Sequence, residues 1–195
     1  MPVVEIVAGR LSGRHAGEAI AFQGIPYATA LRFAPPGPMQ GWKGVRDARA
    51  PGPAAPQPRR PAATFTHGEL PGTDEQCLSL NVFAPELSGR RPVFVWLHGG
   101  GFAIGHAGAS LYSGVRLAAD VGAVVVTVSY RLGSLGWLGH PGLAAAPDAP
   151  AANGGDGGAA VYAKSRAAWV ATRQKIETDI AKLRDAMSSV YQGHG

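Results

Sequence analysis

Val93-Phe94-Val95-Trp96-Leu97-His98-Gly99-Gly100-Gly101-Phe102 decides the fold, because an apolar, β-branched and aromatic run passes without a spacer into three consecutive glycines. A run of this kind predicts a buried central strand, which stops where glycine takes over. Residues at that break sit over the carboxyl end of a sheet, the usual place for chemistry in an open α/β fold. Gly100 and Gly101 have no Cβ, so their N–H groups can turn toward a ligand in conformations closed to other residues. Two inward N–H groups on such a loop are the physical recipe for an oxyanion hole, the donor pair that stabilises a tetrahedral acyl-transfer intermediate. The plainer alternative is a glycine turn with no ligand, since 28 of the 195 residues are glycine.

The flanks support an α/β reading. Val115 to Asp120 suits a short helix ended by Gly122, and Ala123-Val124-Val125-Val126-Thr127-Val128-Ser129-Tyr130 is apolar enough for a parallel core strand. Strand, helix and strand in this order make one crossover of an α/β sheet. Arg131 to Leu138 reads as a glycine-punctuated loop at the same end of the sheet as His98, a candidate wall of any site there. Upstream, Leu78 to Phe83 alternates with the period of a strand. At the amino-terminal end, Val3–Val7, Gly9–Gly13 and Ala19–Phe22 predict a small antiparallel sheet. Phe33 and Trp42 are the expected anchors of the following Pro/Gly-rich stretch, and residues 47–66 hold five prolines in a low-information loop.

Composition closes off several classes. Net charge is +5, but the basic residues are scattered; the doublets Arg59-Arg60 and Arg90-Arg91 read as solvated loop ends, which argues against a nucleic-acid surface. One cysteine excludes an internal disulfide and a thiolate cluster, and His15, His67, His98, His106, His140 and His194 lack ligand spacing, so no metal and no cofactor is expected. The first residues lack a basic and apolar leader pattern and no window holds 18 unbroken apolar residues, so the expectation is a cytoplasmic protein with no membrane span.

Five pieces, in order, carry a family resemblance: Phe22-Gln23-Gly24-Ile25-Pro26-Tyr27-Ala28, Arg32-Phe33-Ala34-Pro35-Pro36, Glu75-Gln76-Cys77-Leu78-Ser79-Leu80-Asn81-Val82, His98-Gly99-Gly100-Gly101-Phe102 and Ser129-Tyr130-Arg131-Leu132-Gly133. Residues 3 to about 140 resemble the N-terminal part of the type-B carboxylesterases, which are α/β-hydrolases. The resemblance implies a partial α/β-hydrolase sheet preceded by an antiparallel hairpin region, and hydrolysis of small carboxylic esters by a serine. It implies that Gly100 and Gly101 are the oxyanion-hole donors, that His98 and Gly99 shape the loop, and that Glu75 and Arg131 are structural, through a buried charge pair or hydrogen bonds.

Departures from the family pattern matter as much. Gln76 stands where the family generally has Asp, and Ala55 stands where the disulfide partner of Cys77 would be, which leaves Cys77 as a buried free thiol. The nucleophile motif G-x-S-x-G occurs nowhere in the 195 residues, so neither the nucleophile nor the acid and base that serve it can be assigned. The expectation is a truncated fragment that is inactive by itself; the alternatives are a non-catalytic interaction module and one half of a split esterase.

Three segments are expected: 1–143 as the esterase-like part, 144–158 as a Gly/Ala/Pro linker, and 159–192 as a long amphipathic helix. Tyr162, Trp169, Ile176, Leu183 and Val190 recur every seventh residue, with Ile180 and Met187 between them. Arg173 with Glu177 and Lys175 with Asp179 add i,i+4 support. Such a stripe must be covered, so the helix is expected to pack against the partial sheet or to make a helix–helix or oligomer contact, with a frayed tail as the third alternative; residues 160–191 are the candidate contact for an oligomer or for a separate C-terminal half.

Overall fold

The computed structural model describes residues 1–34, 36–58 and 70–138. The first apolar alternations form β1 (Val3–Ile6) and β2 (Gly9–Ser12), an antiparallel hairpin with Val3 opposite Ser12 and Ile6 opposite Gly9. β3 (Arg14–Ala16) and β4 (Ala19–Pro26) follow, then the two-residue strands β5 (Ala28–Thr29) and β6 (Gly37–Pro38), which pair with each other, and β7 (Val45–Asp47). β8 (Ser79–Ala84), β9 (Val93–Leu97) and β10 (Val124–Val128) complete the strands among the described residues.

Residues 19–22 do not complete the first sheet as expected. The third strand there is β7, parallel to β2, while β4 joins a five-stranded sheet of order β3-β4-β8-β10-β9. The physical reason is that β4 is apolar on both faces: Ala21, Phe22 and Ile25 are all buried, and only an interior strand offers cover on both sides. β8 is antiparallel to both β4 and β10, and β10 is parallel to β9, so the crossover inserts β10 between two strands that are neighbours in sequence.

The central-strand expectation for 93–97 is corrected. β9 is the edge of this sheet among the described residues, and Val93, Phe94, Val95 and Trp96 are 36–45% exposed. Its composition is that of a core strand, but among the described residues only β10 flanks it.

Two apolar layers cover the sheet. On one face Phe22, Leu80, Val82, Val126 and Val128 pack with Leu11 of the hairpin. On the other, Ala21, Phe83 and Val125 meet Ala118 of α1 (Val115–Val121). The helix sits close because Gly114 has no room for a side chain: a Cβ there would lie 2.7 Å from Phe83 Cδ2 and from Val125 Cγ1. α1 ends at Gly122 as expected, in the left-handed conformation with its N–H on the Ala118 carbonyl at 3.0 Å.

Smaller expectations divide. Trp42 anchors its stretch, packing on the core and donating its indole N–H to the Arg10 carbonyl at 2.9 Å, whereas Phe33 is 38% exposed at φ 57° and anchors nothing comparable. Arg91 is not a solvated loop end: it is half-buried, pairs with Glu86 and donates to the Gly122 carbonyl at 3.1 Å. Gly133–Trp137, expected as loop, forms the short helix α2. The linker 144–158, the helix 159–192 and Arg59-Arg60 lie outside the described residues. No described helix is long and apolar enough to cross a membrane.

Candidate functional site

The turn after β9 is built by close packing that only glycine permits. Gly100 has φ 123°, and a Cβ on it would lie 2.0 Å from the Ile104 carbonyl oxygen. That approach lets the Gly100 carbonyl accept both the Ala103 and the Ile104 N–H at 3.2 Å, closing the turn. Gly101, at φ 60°, faces open space. Neither Gly100 nor Gly101 donates its own N–H to any acceptor among the described residues. Two adjacent donors without an acceptor among the described residues therefore stand at the carboxyl end of β9.

His98 holds the base of the turn. Its ring is buried and stacked on Tyr130, with centroids 4.4 Å apart and planes 9° from parallel, and its Nδ1 lies 2.9 Å from the Gly99 carbonyl oxygen. The Tyr130 hydroxyl donates to the His98 carbonyl at 2.5 Å, and burial pushes that phenol up to about 12, so it is a donor throughout the neutral range. The expected loop-shaping role of His98 corresponds to these contacts. On the far side, Gln57 grips Gly105 by both backbone groups: Gly105 N–H donates to Oε1 at 2.8 Å and Nε2 donates to the Gly105 carbonyl at 2.9 Å.

α2 supplies a wall. Gly133 N–H donates to the Phe102 carbonyl at 2.7 Å, and the Trp137 ring meets the exposed Phe102 ring with centroids 4.3 Å apart. Phe102 itself is held at φ 58°, a left-handed conformation that is strained for an aromatic residue and turns its ring out over the turn.

Glu75 and Arg131 hold structure, but not as a pair with each other. Glu75 pairs with Arg32, which keeps its carboxyl below the ordinary value by hydrogen bonding. Arg131 donates instead to the carbonyls of Leu31 at 3.2 Å and Ala34 at 2.8 Å, and burial lowers its affinity for a proton. Gln76 shows why an amide can replace an acid here: it accepts the Ala30 N–H at 2.9 Å and donates to the Ala30 carbonyl, a two-way pairing that a carboxylate cannot make. Cys77 is buried and free, sharing its apolar cluster with Ala55, and burial pushes its thiol up to about 11.

One cluster escaped the sequence reading. Asn81, Thr127 and Ser129 are buried under the site. Asn81 Nδ2 donates to the Ala107 carbonyl at 3.1 Å and to Thr127 Oγ1 at 2.9 Å, Thr127 donates to the same carbonyl at 3.0 Å, and Ser129 Oγ accepts the Ala107 N–H at 3.3 Å. Gly24 N–H closes the network on Asn81 Oδ1 at 3.0 Å. The available signal was a polar residue flanked by apolar ones in each of two strands, Asn81 and Thr127. Ser129 is tied up in this network and is no nucleophile. No group of His, Cys, Asp and Glu among the described residues could hold a metal ion.

Comparison with known proteins gives one consistent result. The profile of the Carboxylesterase family matches residues 1–148. The chain is 42% identical over 149 residues to the phenmedipham hydrolase of Pseudarthrobacter oxydans, covering 72% of this chain and 30% of that protein. It is 40% identical over 141 residues to the para-nitrobenzyl esterase of Bacillus subtilis (strain 168), covering 70% and 29%. Among solved structures, a PNB esterase superposes with a TM-score of 0.66 at 39% identity, covering 72% of this chain and 30% of that one. The chain thus spans about 30% of the length of the relatives it matches.

Proposed function

The chain belongs to the carboxylesterase family, and on that premise we propose that it carries the oxyanion-binding part of a serine hydrolase acting on small carboxylic esters. The observation that supports this is that the adjacent N–H groups of Gly100 and Gly101 donate to no acceptor among the described residues. A serine on polypeptide outside these 195 residues attacks the ester carbonyl, and the carbonyl oxygen takes up the negative charge. Gly100 and Gly101 donate to that oxygen, which favours the tetrahedral state over the flat ester. The alkoxide leaves with a proton, and water then releases the acyl group from the serine. His98 takes no part in proton transfer: its buried ring is committed to Tyr130 and the Gly99 carbonyl.

The experiment compares p-nitrophenyl butyrate hydrolysis by the chain alone and by the chain mixed with the remaining portion of a relative, which carries G-x-S-x-G. Alone, no burst and no labelled serine are expected. In the mixture, turnover appears and Gly100→Ala lowers kcat by about 10²–10³, because the new Cβ collides with the Ile104 carbonyl and displaces the donor. Gly101→Ala, which meets open space and keeps its N–H, loses much less. Turnover and serine labelling in the chain alone, or indifference of the mixture to Gly100→Ala, would overturn the proposal.

A second reading, an interaction module without turnover, draws on the open apolar edge of β9. The segments 1–143, 144–158 and 159–192 then serve as sheet, linker and contact helix, with residues 160–191 meeting an oligomer partner or a separate C-terminal half. A cytoplasmic setting belongs to the same proposal, because Cys77 is a buried thiol with alanine at the position where a bridge would form.

A further inference from the structure

A trans peptide unit is flat, with its C=O and the following N–H pointing in opposite directions. Whatever grips the carbonyl of such a unit therefore aims the N–H on its other side. The glycine turn after β9 has two of these units in a row. The N–H of Gly100 shares a unit with the Gly99 carbonyl, and His98 Nδ1 lies 2.9 Å from that oxygen. A carbonyl only accepts, so Nδ1 carries the proton and donates, and the Gly100 N–H points away from the imidazole. The N–H of Gly101 shares the next unit with the Gly100 carbonyl. That carbonyl is gripped by backbone alone, the Ala103 and Ile104 N–H groups at 3.2 Å. Neighbouring donors thus have anchors of different kinds: a side chain aims one, and the turn itself aims the other.

The first unit needs its anchor. It lies between two glycines, so no Cβ on either side resists its turning over, and Gly99 faces open space. The imidazole that restrains it is itself held by Tyr130. The phenol ring lies against it, with centroids 4.4 Å apart and planes 9° from parallel, and the phenol hydroxyl donates to the carbonyl of His98 at 2.5 Å. One residue therefore fixes both the ring and the backbone of His98. Gly105 leaves the space for this arrangement, because a Cβ there would lie 2.5 Å from His98 Nδ1 and 2.6 Å from the Gly99 carbonyl oxygen. Tyr130 follows closely on β10, which runs between β8 and β9, so the aim of the Gly100 N–H is referred to the interior of the sheet.

On the reading of Gly100 and Gly101 as oxyanion donors, we propose that Tyr130 is a positioning residue for the Gly100 donor, acting through His98, and that the Gly101 donor is aimed independently of both. The hydroxyl of Tyr130 is spent on the His98 carbonyl and its ring on the imidazole. Its contribution to turnover is the direction of an N–H two residues beyond the histidine it holds.

The test reads N–H directions from residual dipolar couplings of the full 195-residue chain in solution. In the wild type, the Gly100 and Gly101 couplings should fit the same alignment frame as the amides of β10. Tyr130→Phe keeps the ring and loses only the hydroxyl; the Gly100 coupling should leave that frame while the Gly101 coupling stays in it. His98→Leu should displace Gly100 further. His98→Asn, whose Nδ2 is a donor the same number of bonds from Cα as Nδ1, should keep it in place. In the mixture with the remaining portion of a relative, Tyr130→Phe should lower kcat about tenfold at unchanged KM, because a misdirected donor is missed in the transition state and not in the bound ester. A Gly100 coupling unmoved by Tyr130→Phe would overturn the proposal. So would Gly101 moving together with Gly100, His98→Asn behaving like His98→Leu, or a rise in KM at unchanged kcat. Couplings that move as expected beside a mixture without turnover would refute the esterase reading alone and uphold Tyr130 as the residue that aims Gly100.

Discussion

β8 and β9 are short strands of one sheet, and β8 holds two polar residues in six where β9 holds none, yet every residue of Ser79–Ala84 is buried while four of the five in Val93–Leu97 are a third or more exposed. Hydropathy orders them the wrong way, since the more apolar strand is the more exposed. Position separates them: among the described residues β8 has a strand on each side and apolar layers on both faces, whereas β9 has only β10. Composition reports what a strand requires, and topology decides whether these residues supply it.

The sharpest way to break this comparison is to truncate matched side chains. Leu80→Ala in β8, at a residue 2% exposed, should cost ~3 kcal/mol. Phe94→Ala in β9, at a residue 45% exposed, should cost about 1 kcal/mol or less. Equal costs in urea unfolding of dilute protein would mean that β9 is covered in solution. Next in size, Asn81→Leu strands the Gly24 N–H that now bonds its side chain, and should cost about 2 kcal/mol in the same measurement. A smaller effect tests the sheet's rim. Gln76→Glu removes the donor to the Ala30 carbonyl and should cost about 1–2 kcal/mol at neutral pH. Facing that carbonyl, the new carboxyl has a raised affinity for its proton when folded, so the deficit should shrink as acid restores a donor.

The smallest effect concerns Cys77. Burial raises its thiol from 9.0 to about 11, so the unfolded chain loses the proton first as pH rises. The stability it contributes is complete below about pH 9 and falls between 9 and 11. Cys77→Ala should flatten that part of the pH–stability curve, and Ellman's reagent should react slowly with the native thiol at pH 8.

The glycine-dependent turn and the parallel strand after it were legible because their residues admit few other readings. Val124–Val128 follows a helix in the order of an α/β crossover, and Gly100 sits at a backbone angle that other residues rarely adopt. The exposure of β9 was not legible, since Val93-Phe94-Val95-Trp96-Leu97 reads the same in a core as at an edge. Long-range pairings were hidden for a similar reason. Nothing local to Ala19–Pro26 says that it will lie beside Ser79–Ala84, and nothing local to Arg131 says that its partners are the carbonyls of Leu31 and Ala34. The buried trio of Asn81, Thr127 and Ser129 left a trace in the sequence, a polar letter amid apolar ones, whose meaning depends on strands brought side by side.

Gln57 gives the glycine turn a property that its charged surroundings lack. The grip on Gly105 is made by a neutral amide with both of its ends engaged, so there is no charge for salt to screen and no proton to lose. The ion pairs of Arg32 with Glu75 and of Arg49 with Asp47 lie exposed and weaken as ionic strength rises or as acid titrates their carboxylates, that of Asp47 near about 2. The turn should therefore keep its shape in brine, a condition that weakens those exposed pairs.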